Sequence, residues 1–342
     1  VSVLQRALLL GLGLLGGLVL VAAVGVPLAH LQIERRDPAL PDLGTLARFA
    51  AAPDLPVHLG WVDTAIQPMP RALVLDPARD PHPDRPYRMS HPAFVLTWAD
   101  GRRLLVDVGM DREEALRFGV PLEWAGAGPI QPRESLADAL GPALRADPPH
   151  PIGIVFTHLH LDHVAGLVAL CAALPDARRV TVFQRHAQQV EFNYTTRPGR
   201  RLLAEARCVE RRVLGEEPAA PVPGFPGVFV IDAAGHTPGS QLVGAWVRDD
   251  RRTHGWILAG DVANAFDGVV DDVPKPWFYR TFVVPESEAR EHRLRRYLRD
   301  AMDRAGFRVL VAHDELALEA SGLPRLDAAG GAPVAREAAA GP

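Results

Sequence analysis

Cysteine is nearly absent: Cys171 and Cys208 are the only two in 342 residues. Two cysteines exclude a disulfide-stapled framework and a Cys-rich zinc knuckle. Cys171 lies in the apolar run GLVALCAAL and reads as a buried, inert thiol. A basic surplus is absent too, because 37 Lys and Arg face 41 Asp and Glu, for a net charge of -4. No basic stripe offers itself to nucleic acid, so that class of partner is excluded. No internal repeat is visible. Histidine, by contrast, is plentiful, with 13 copies, and its placement is the most informative feature of the chain.

Charge is also absent from Ala7 to Ala29, the stretch ALLLGLGLLGGLVLVAAVGVPLA. As a helix it would run about 35 Å, enough to cross a hydrocarbon core of roughly 30 Å. A cleavable signal segment has a shorter apolar region of about 7–15 residues. Residues 1–33 are therefore expected to form a single-pass membrane anchor, although VPLA before His30 leaves cleavage open. Arg6 on one side and Arg35 and Arg36 on the other leave the orientation nearly balanced. The rest of the chain is expected outside the cytoplasm, as is usual for domains that follow a short N-terminal tail and one apolar helix.

Residues 34–90 are rich in proline and arginine, with only RALVL reading as a strand, and are expected to be a connecting segment on the main domain. AFVLTWADGRRLLVDVGM then gives two strands around an Asp100-Gly101 turn. PIGIVFTH reads as a buried strand, followed by a helix over about 164–174. RRVTVFQ, VFVIDAAGH, QLVGAWV, GWILAGDV and FRVLVAH read as further strands, with a long helix over about 286–305 opened by PESE. The main domain is placed at 91–319, and residues 320–342 are expected to be a disordered tail. Asp107, His158, His236, Asp261 and His313 all fall at the carboxyl ends of apolar strands, where α/β architectures gather their chemistry.

Within IVFTHLHLDHVAGL, His158 and His160 stand two apart on an extended turn and can converge on one ion. Asp162 and His163 can turn to a second. Neutral imidazole and carboxylate suit zinc best, with iron or manganese as alternatives. His236 in AAGHTPGS, Asp261 in LAGD and His313 in LVAHD supply further donors. The remaining eight histidines, His91 and His292 among them, lie singly and read as surface residues.

THLHLDH, GHTPGS, AGD and AHD, in this order, resemble the metal motifs of the metallo-β-lactamase superfamily over roughly residues 91–318. That resemblance implies an α+β fold, a four-layer αββα sandwich with the metals at one edge between the sheets. It implies one metal on His158, His160 and His236, a second on Asp162, His163 and His313, and Asp261 bridging both. Asp107 would support the ligands from behind. The cofactors expected are two divalent ions, zinc foremost.

Two ions about 3.5–4 Å apart can share a hydroxide at near-neutral pH, with Asp162 or Asp261 shuttling its proton. The expected activity is a dinuclear metal-dependent hydrolase of a small-molecule substrate. The pattern is most similar to N-acyl-homoserine lactonases and related hydrolases, which favours a lactone or ester bond. The tyrosine such lactonases often carry near the bridging aspartate is missing, since VANAFDG follows Asp261. Tyr279 and Tyr194 are the substitutes, and Trp277 and Phe278 are candidate walls of an apolar pocket. A phosphodiesterase, with Arg197, Arg200 and Arg201 lining a basic pocket, and an inactive metal-binding protein remain as alternatives.

Overall fold

The computed structural model describes residues 2–145, 149–249 and 252–327. The expected tail beyond 327 and the tip of the RDDRRTH hairpin at 250–251 lie outside the described residues. The strands are β1 His58–Met69, β2 Tyr87–Thr97, β3 Arg103–Val106, β4 Gln131–Pro132, β5 Ile152–Val155 and β6 Val180–Gln184. They continue as β7 Val209–Val213, β8 Ala220–Pro221, β9 Val228–Asp232, β10 Gln241–Arg248, β11 Thr253–Leu258 and β12 Arg308–Leu310. One sheet runs β4-β1-β2-β3-β5-β6-β7 and the other β12-β11-β10-β9-β8. The helices are α1 Val3–Leu20, α2 Val26–Glu34, α3 Arg112–Trp124, α4 Leu136–Ala139, α5 Gly141–Leu144 and α6 Leu161–Val164. After them come α7 Leu167–Ala173, α8 His186–Val190, α9 Arg197–Glu205, α10 Phe266–Val270, α11 Glu288–Ala305 and α12 Glu315–Ala320.

Why the strands read as unbroken apolar runs follows from the two-residue period of β structure. Phe94, Leu96, Leu104, Val106 and Val155 point into a core between the sheets, where Val228, Val230, Val243 and Leu258 meet them. Their neighbours Val95, Leu105 and Ile154 point the other way, onto Val164, Leu167 and Leu170 of α6 and α7. On the second sheet Phe229, Ile231, Leu242 and Ile257 face Leu294 and Leu298 of α11. The layers therefore run helix, sheet, sheet, helix, as the αββα expectation has it. Truncating Leu104, fully buried between the sheets, would cost about 2–5 kcal/mol.

Several expectations need correction. Residues 34–90 are more than a connection, because they supply β1, which pairs antiparallel with β2 from His58↔Thr97 to Met69↔Tyr87. β1 escapes detection in the sequence because nearly every position is buried on both faces, which erases the polar alternation. RALVL forms a turn of 3-10 helix at Arg71–Leu73 instead of a strand. The helix after the histidines breaks into α6 and α7 around Gly166, whose amide donates to the Gly109 carbonyl at 2.8 Å. A Cβ there would stand 2.2 Å from the Val108 carbonyl. The start of the tail is ordered: Leu326 N donates to Trp61 O at 2.8 Å. Cys171 and Cys208 form a disulfide joining α7 to the approach to β7, so the expected inert thiol is a paired one.

The N-terminal expectation also changes. Among the described residues no helix is long and apolar enough to cross a membrane. The helical run is divided by a wider turn at Val21–Gly25. Its last part, α2, packs on the domain: Val26, Ala29 and Ile33 are buried, and His30 Nε2 lies 3.2 Å from the Thr281 carbonyl. Residues 26–33 thus pack on the domain.

Candidate metal centre

Five strands deliver the site at their carboxyl ends. Asp107 follows β3, Thr157 to His160 follow β5, His236 follows β9, Asp261 follows β11 and His313 follows β12. Two backbone positions have positive φ here: Asp107 at 59° and Gly260 at 54°. An aspartate in that region is strained. It is held because its carboxylate accepts from Thr157 N and Thr157 Oγ1, both at 2.7 Å.

The predicted ligands gather into two adjoining cradles. In the first, His160 Nδ1 lies 3.0 Å from His158 Nε2 and 3.1 Å from His236 Nε2. Asp261 Oδ2 stands 3.4 Å from His236 Nε2. In the second, His163 Nε2 is 3.3 Å from Asp261 Oδ1 and 3.7 Å from Asp162 Oδ2. His313 Nε2 is 3.0 Å from Asp261 Oδ2 and 3.4 Å from Asp162 Oδ2. Asp261 thus lies between the two groups.

The outer nitrogen of each imidazole fixes which inner atom is free. Thr157 Oγ1, whose proton goes to Asp107, accepts from His158 Nδ1 at 3.2 Å. Thr195 Oγ1, whose proton goes to Asn193, accepts from His160 Nε2 at 2.8 Å. His163 Nδ1 donates to Asp107 Oδ2 at 2.9 Å, His313 Nδ1 to Ser90 O at 2.7 Å, and His236 Nδ1 to the Glu286 carboxylate. With every outer N–H committed, the inner nitrogens of His158, His160 and His236 face one another and Asp261 as lone pairs. Acceptors crowded against acceptors need a cation between them. His163 Nε2 and Asp261 Oδ1 are buried without any hydrogen-bond partner, and each is aimed at such a point. This donor set of imidazole and carboxylate suits two divalent ions.

The electrostatics separate the cradles. Burial lowers His158 well below the ordinary value, and His163 adds to the effect. Burial and then His236 push His160 down to about 3. His236 is lowered by burial and by Lys275. In the second cradle burial works the same way on His163, but Asp107, Asp162 and Asp261 more than reverse it and hold the ring well above the ordinary value. His313 is likewise raised against burial, by Asp261 and Asp162. Against their own burial, Asp261 is held well below the carboxylate range by His313 and His163, and Asp162 is lowered by His163 and His91.

Sequence reasoning misses four residues here. Lys275, the only lysine in the chain, is buried. Its Nζ donates to the Asp261 carbonyl at 2.6 Å and to Glu286 Oε1 at 2.5 Å. Glu286, a helix-opening acid by its place in PESE, is buried against His236 instead. Thr195 orients His160. His91, expected at the surface, is buried, with Nδ1 3.1 Å from Asp162 Oδ2. His292 is half-exposed, as expected.

Of the candidate substrate contacts, Tyr279 has its ring centre 5.9 Å from Lys275 Nζ. Its hydroxyl is pushed well above its ordinary value by burial, then by Glu286, Asp261 and Asp162. Trp277 and Phe278 are exposed and each packs 5.5 Å from the Phe282 ring, centroid to centroid. Tyr194 joins this aromatic group by donating to Phe282 O at 3.5 Å. The arginines of α9 turn elsewhere: Arg200 bonds the Gln189 carbonyl and covers Phe192, and Arg201 pairs with Glu205 in solvent.

The metallo-β-lactamase superfamily model matches residues 87–301. The chain belongs to that superfamily. It is a metal-dependent hydrolase. Among solved structures, it is similar to an N-acyl homoserine lactone hydrolase with the product N-hexanoyl-L-homoserine bound at its catalytic metal centre. That likeness has 16% identity, 79% of this chain against 98% of that one, and a TM-score of 0.55. A quorum-quenching N-acyl homoserine lactone lactonase matches at 15% identity, 80% against 99%, and a TM-score of 0.56. At such identity the likeness speaks for the fold alone. No curated protein sequence matches the chain.

Proposed function

We propose that this superfamily member hydrolyses a lactone or ester bond of a small acyl substrate with two zinc ions as cofactors. The observation that carries the reading is the pair of cradles sharing Asp261. His158, His160 and His236 would hold one ion, and Asp162, His163 and His313 the other, with Asp261 between them. When bound, such ions lower the pKa of water towards neutrality and polarise an acyl oxygen. The chain's own part is orientation and proton handling. Asp107 holds His163, Glu286 with Lys275 holds His236, and Asp162 or Asp261 would take up the proton at its carboxylate. Tyr279, whose raised pKa keeps its hydroxyl protonated, donates to the developing oxyanion. The apolar ring of Trp277, Phe278 and Phe282 suits an acyl chain, with Tyr194 at its border.

A phosphodiester substrate is disfavoured because Arg200 and Arg201 are spent on Gln189 and Glu205. We further propose that the N-terminal segment attaches the protein to a membrane with the catalytic domain outside the cytoplasm. Supporting this are the uncharged run Ala7–Ala29, the exposed Leu9, Leu10, Leu12, Val19 and Leu20 of α1, and the Cys171–Cys208 disulfide, which an oxidising compartment preserves.

Acid release from acyl lactones, simple esters and phosphodiesters, measured by pH-stat on zinc-loaded and chelated protein, tests the reaction. Zinc-dependent release from lactones or esters is expected. Turnover of phosphodiesters alone would overturn the reading. Membrane fractionation and topology-reporter fusions test the location; recovery of the full chain in the soluble cytoplasmic fraction contradicts it.

A further inference from the structure

We propose that His91, on β2, is an additional ligand of the second metal ion, which makes the two metal positions unequal in donor number. His91 lies outside every motif that marks the site in sequence, and it reaches Asp162 across 71 residues. Its ring is fully enclosed, packed edge-on against Phe118 and His313 with centroids 5.0 Å away in each case. Donor atoms of His91, Asp162 and His313, one from each, lie within 4.8 Å of one another. The spacing is the relevant quantity. Donors around one zinc ion, with bonds of about 2.0–2.1 Å, stand about 3.3 Å apart in a tetrahedron. Nδ1 of His91 is 3.1 Å from Asp162 Oδ2, and His160 Nδ1 is 3.1 Å from His236 Nε2. His91 therefore meets Asp162 as the accepted ligands meet each other. The other ring nitrogen, Nε2, is buried without a hydrogen-bond partner, so this ring, unlike the five imidazoles of the cradles, is not pinned by an outer acceptor.

The first position then offers four donors, from His158, His160, His236 and Asp261. At the second, His91 groups with Asp162 and His313, and His163 and Asp261 group with the same His313. With His91 added, that ion would have one donor more than the first, a five-coordinate arrangement open to zinc. The competing role for His91 is a hydrogen bond from Nδ1–H that only steadies Asp162. The two roles separate by substitution. Asparagine at 91 keeps a donor near the Nδ1 position but is a poor ligand; alanine keeps neither.

The proposal rests on the two-ion reading, and the experiment keeps their failures apart. Metal-free full-length wild type, His91→Asn and His91→Ala would be titrated with zinc and, separately, cobalt. Bound metal is counted by mass spectrometry, and folding is checked by circular dichroism. Wild type should bind two ions; one or none would overturn the two-ion reading. His91→Asn should keep the first and weaken the second by more than the 10–100-fold typical of an outer partner. Second-ion affinity in His91→Asn equal to wild type would overturn the ligand role. A measurement on wild type alone guards against a variant that does not fold. The second equivalent of cobalt should give much weaker visible bands than a four-coordinate ion; bands as intense as the first would overturn the proposal.

Discussion

The two cradles are built from the same residue types yet are held in opposite electrostatic states. His158, His160 and His236 are neutral rings with lowered pKa values, and His236 packs beside the Lys275–Glu286 pair. His163 and His313 sit among Asp107, Asp162 and Asp261 and cling to protons. The lesson is that imidazole count alone does not set metal affinity. The first cradle is poised to accept an ion, whereas the second must exchange protons for one.

Breaking the shared element should have the largest effect. Asp261→Ala removes a donor from both cradles, and hydrolysis should fall by at least about a thousandfold, with metal content reduced at both positions. Atomic absorption alongside the pH-stat reads both.

Next in size are substitutions that fall mainly on one cradle each. Asp107→Asn should weaken the second ion by about 10–100-fold through His163, and the first less, through Thr157 and His158. Glu286→Gln should do the reverse, with a loss of the same order. Competition against a graded set of chelators measures both. Identical losses from both ions in each variant would dissolve the distinction.

A smaller, graded effect comes from pH. Raised values on His163 and His313 mean that protons compete with the second ion up to higher pH than with the first. As pH falls, stoichiometry should drop from two ions to one before the last is lost. Metal counting after equilibration between pH 5 and 8 checks this; simultaneous loss of both contradicts it.

The smallest effect lies beside the site. Asp63 is raised to about 7, chiefly by burial, with Arg133 opposing. A raised carboxyl contributes stability that is complete below its unfolded value near 3.9 and is lost as pH climbs to about 7. Asp63→Asn should therefore be about 2 kcal/mol more stabilising at pH 8 than at pH 5. Thermal melts of the metal-free proteins at the two pH values give the difference.

Much of the site is legible because it is local in sequence. His158, His160, Asp162 and His163 are neighbours, and Asp107, His236, Asp261 and His313 each end an apolar run. The illegible part comes from across the chain. His91 meets Asp162 only because β2 runs beside β3, which lies next to β5. Lys275 and Glu286 reach His236 from the segment between α10 and α11. Glu286 also has a sufficient local explanation, since acids open helices. β1 is hidden by burial on both faces, and the disulfide by a separation of 37 residues. The length of the apolar N-terminal run does not disclose that its last turns pack on the domain through Val26, Ala29 and Ile33.

The most direct test of the central claim is a zinc titration of metal-free protein with hydrolysis of an acyl lactone measured at each addition. The account predicts little turnover up to one equivalent and a steep rise to full activity by the second. Full activity at one equivalent, or turnover indifferent to chelation, would contradict it.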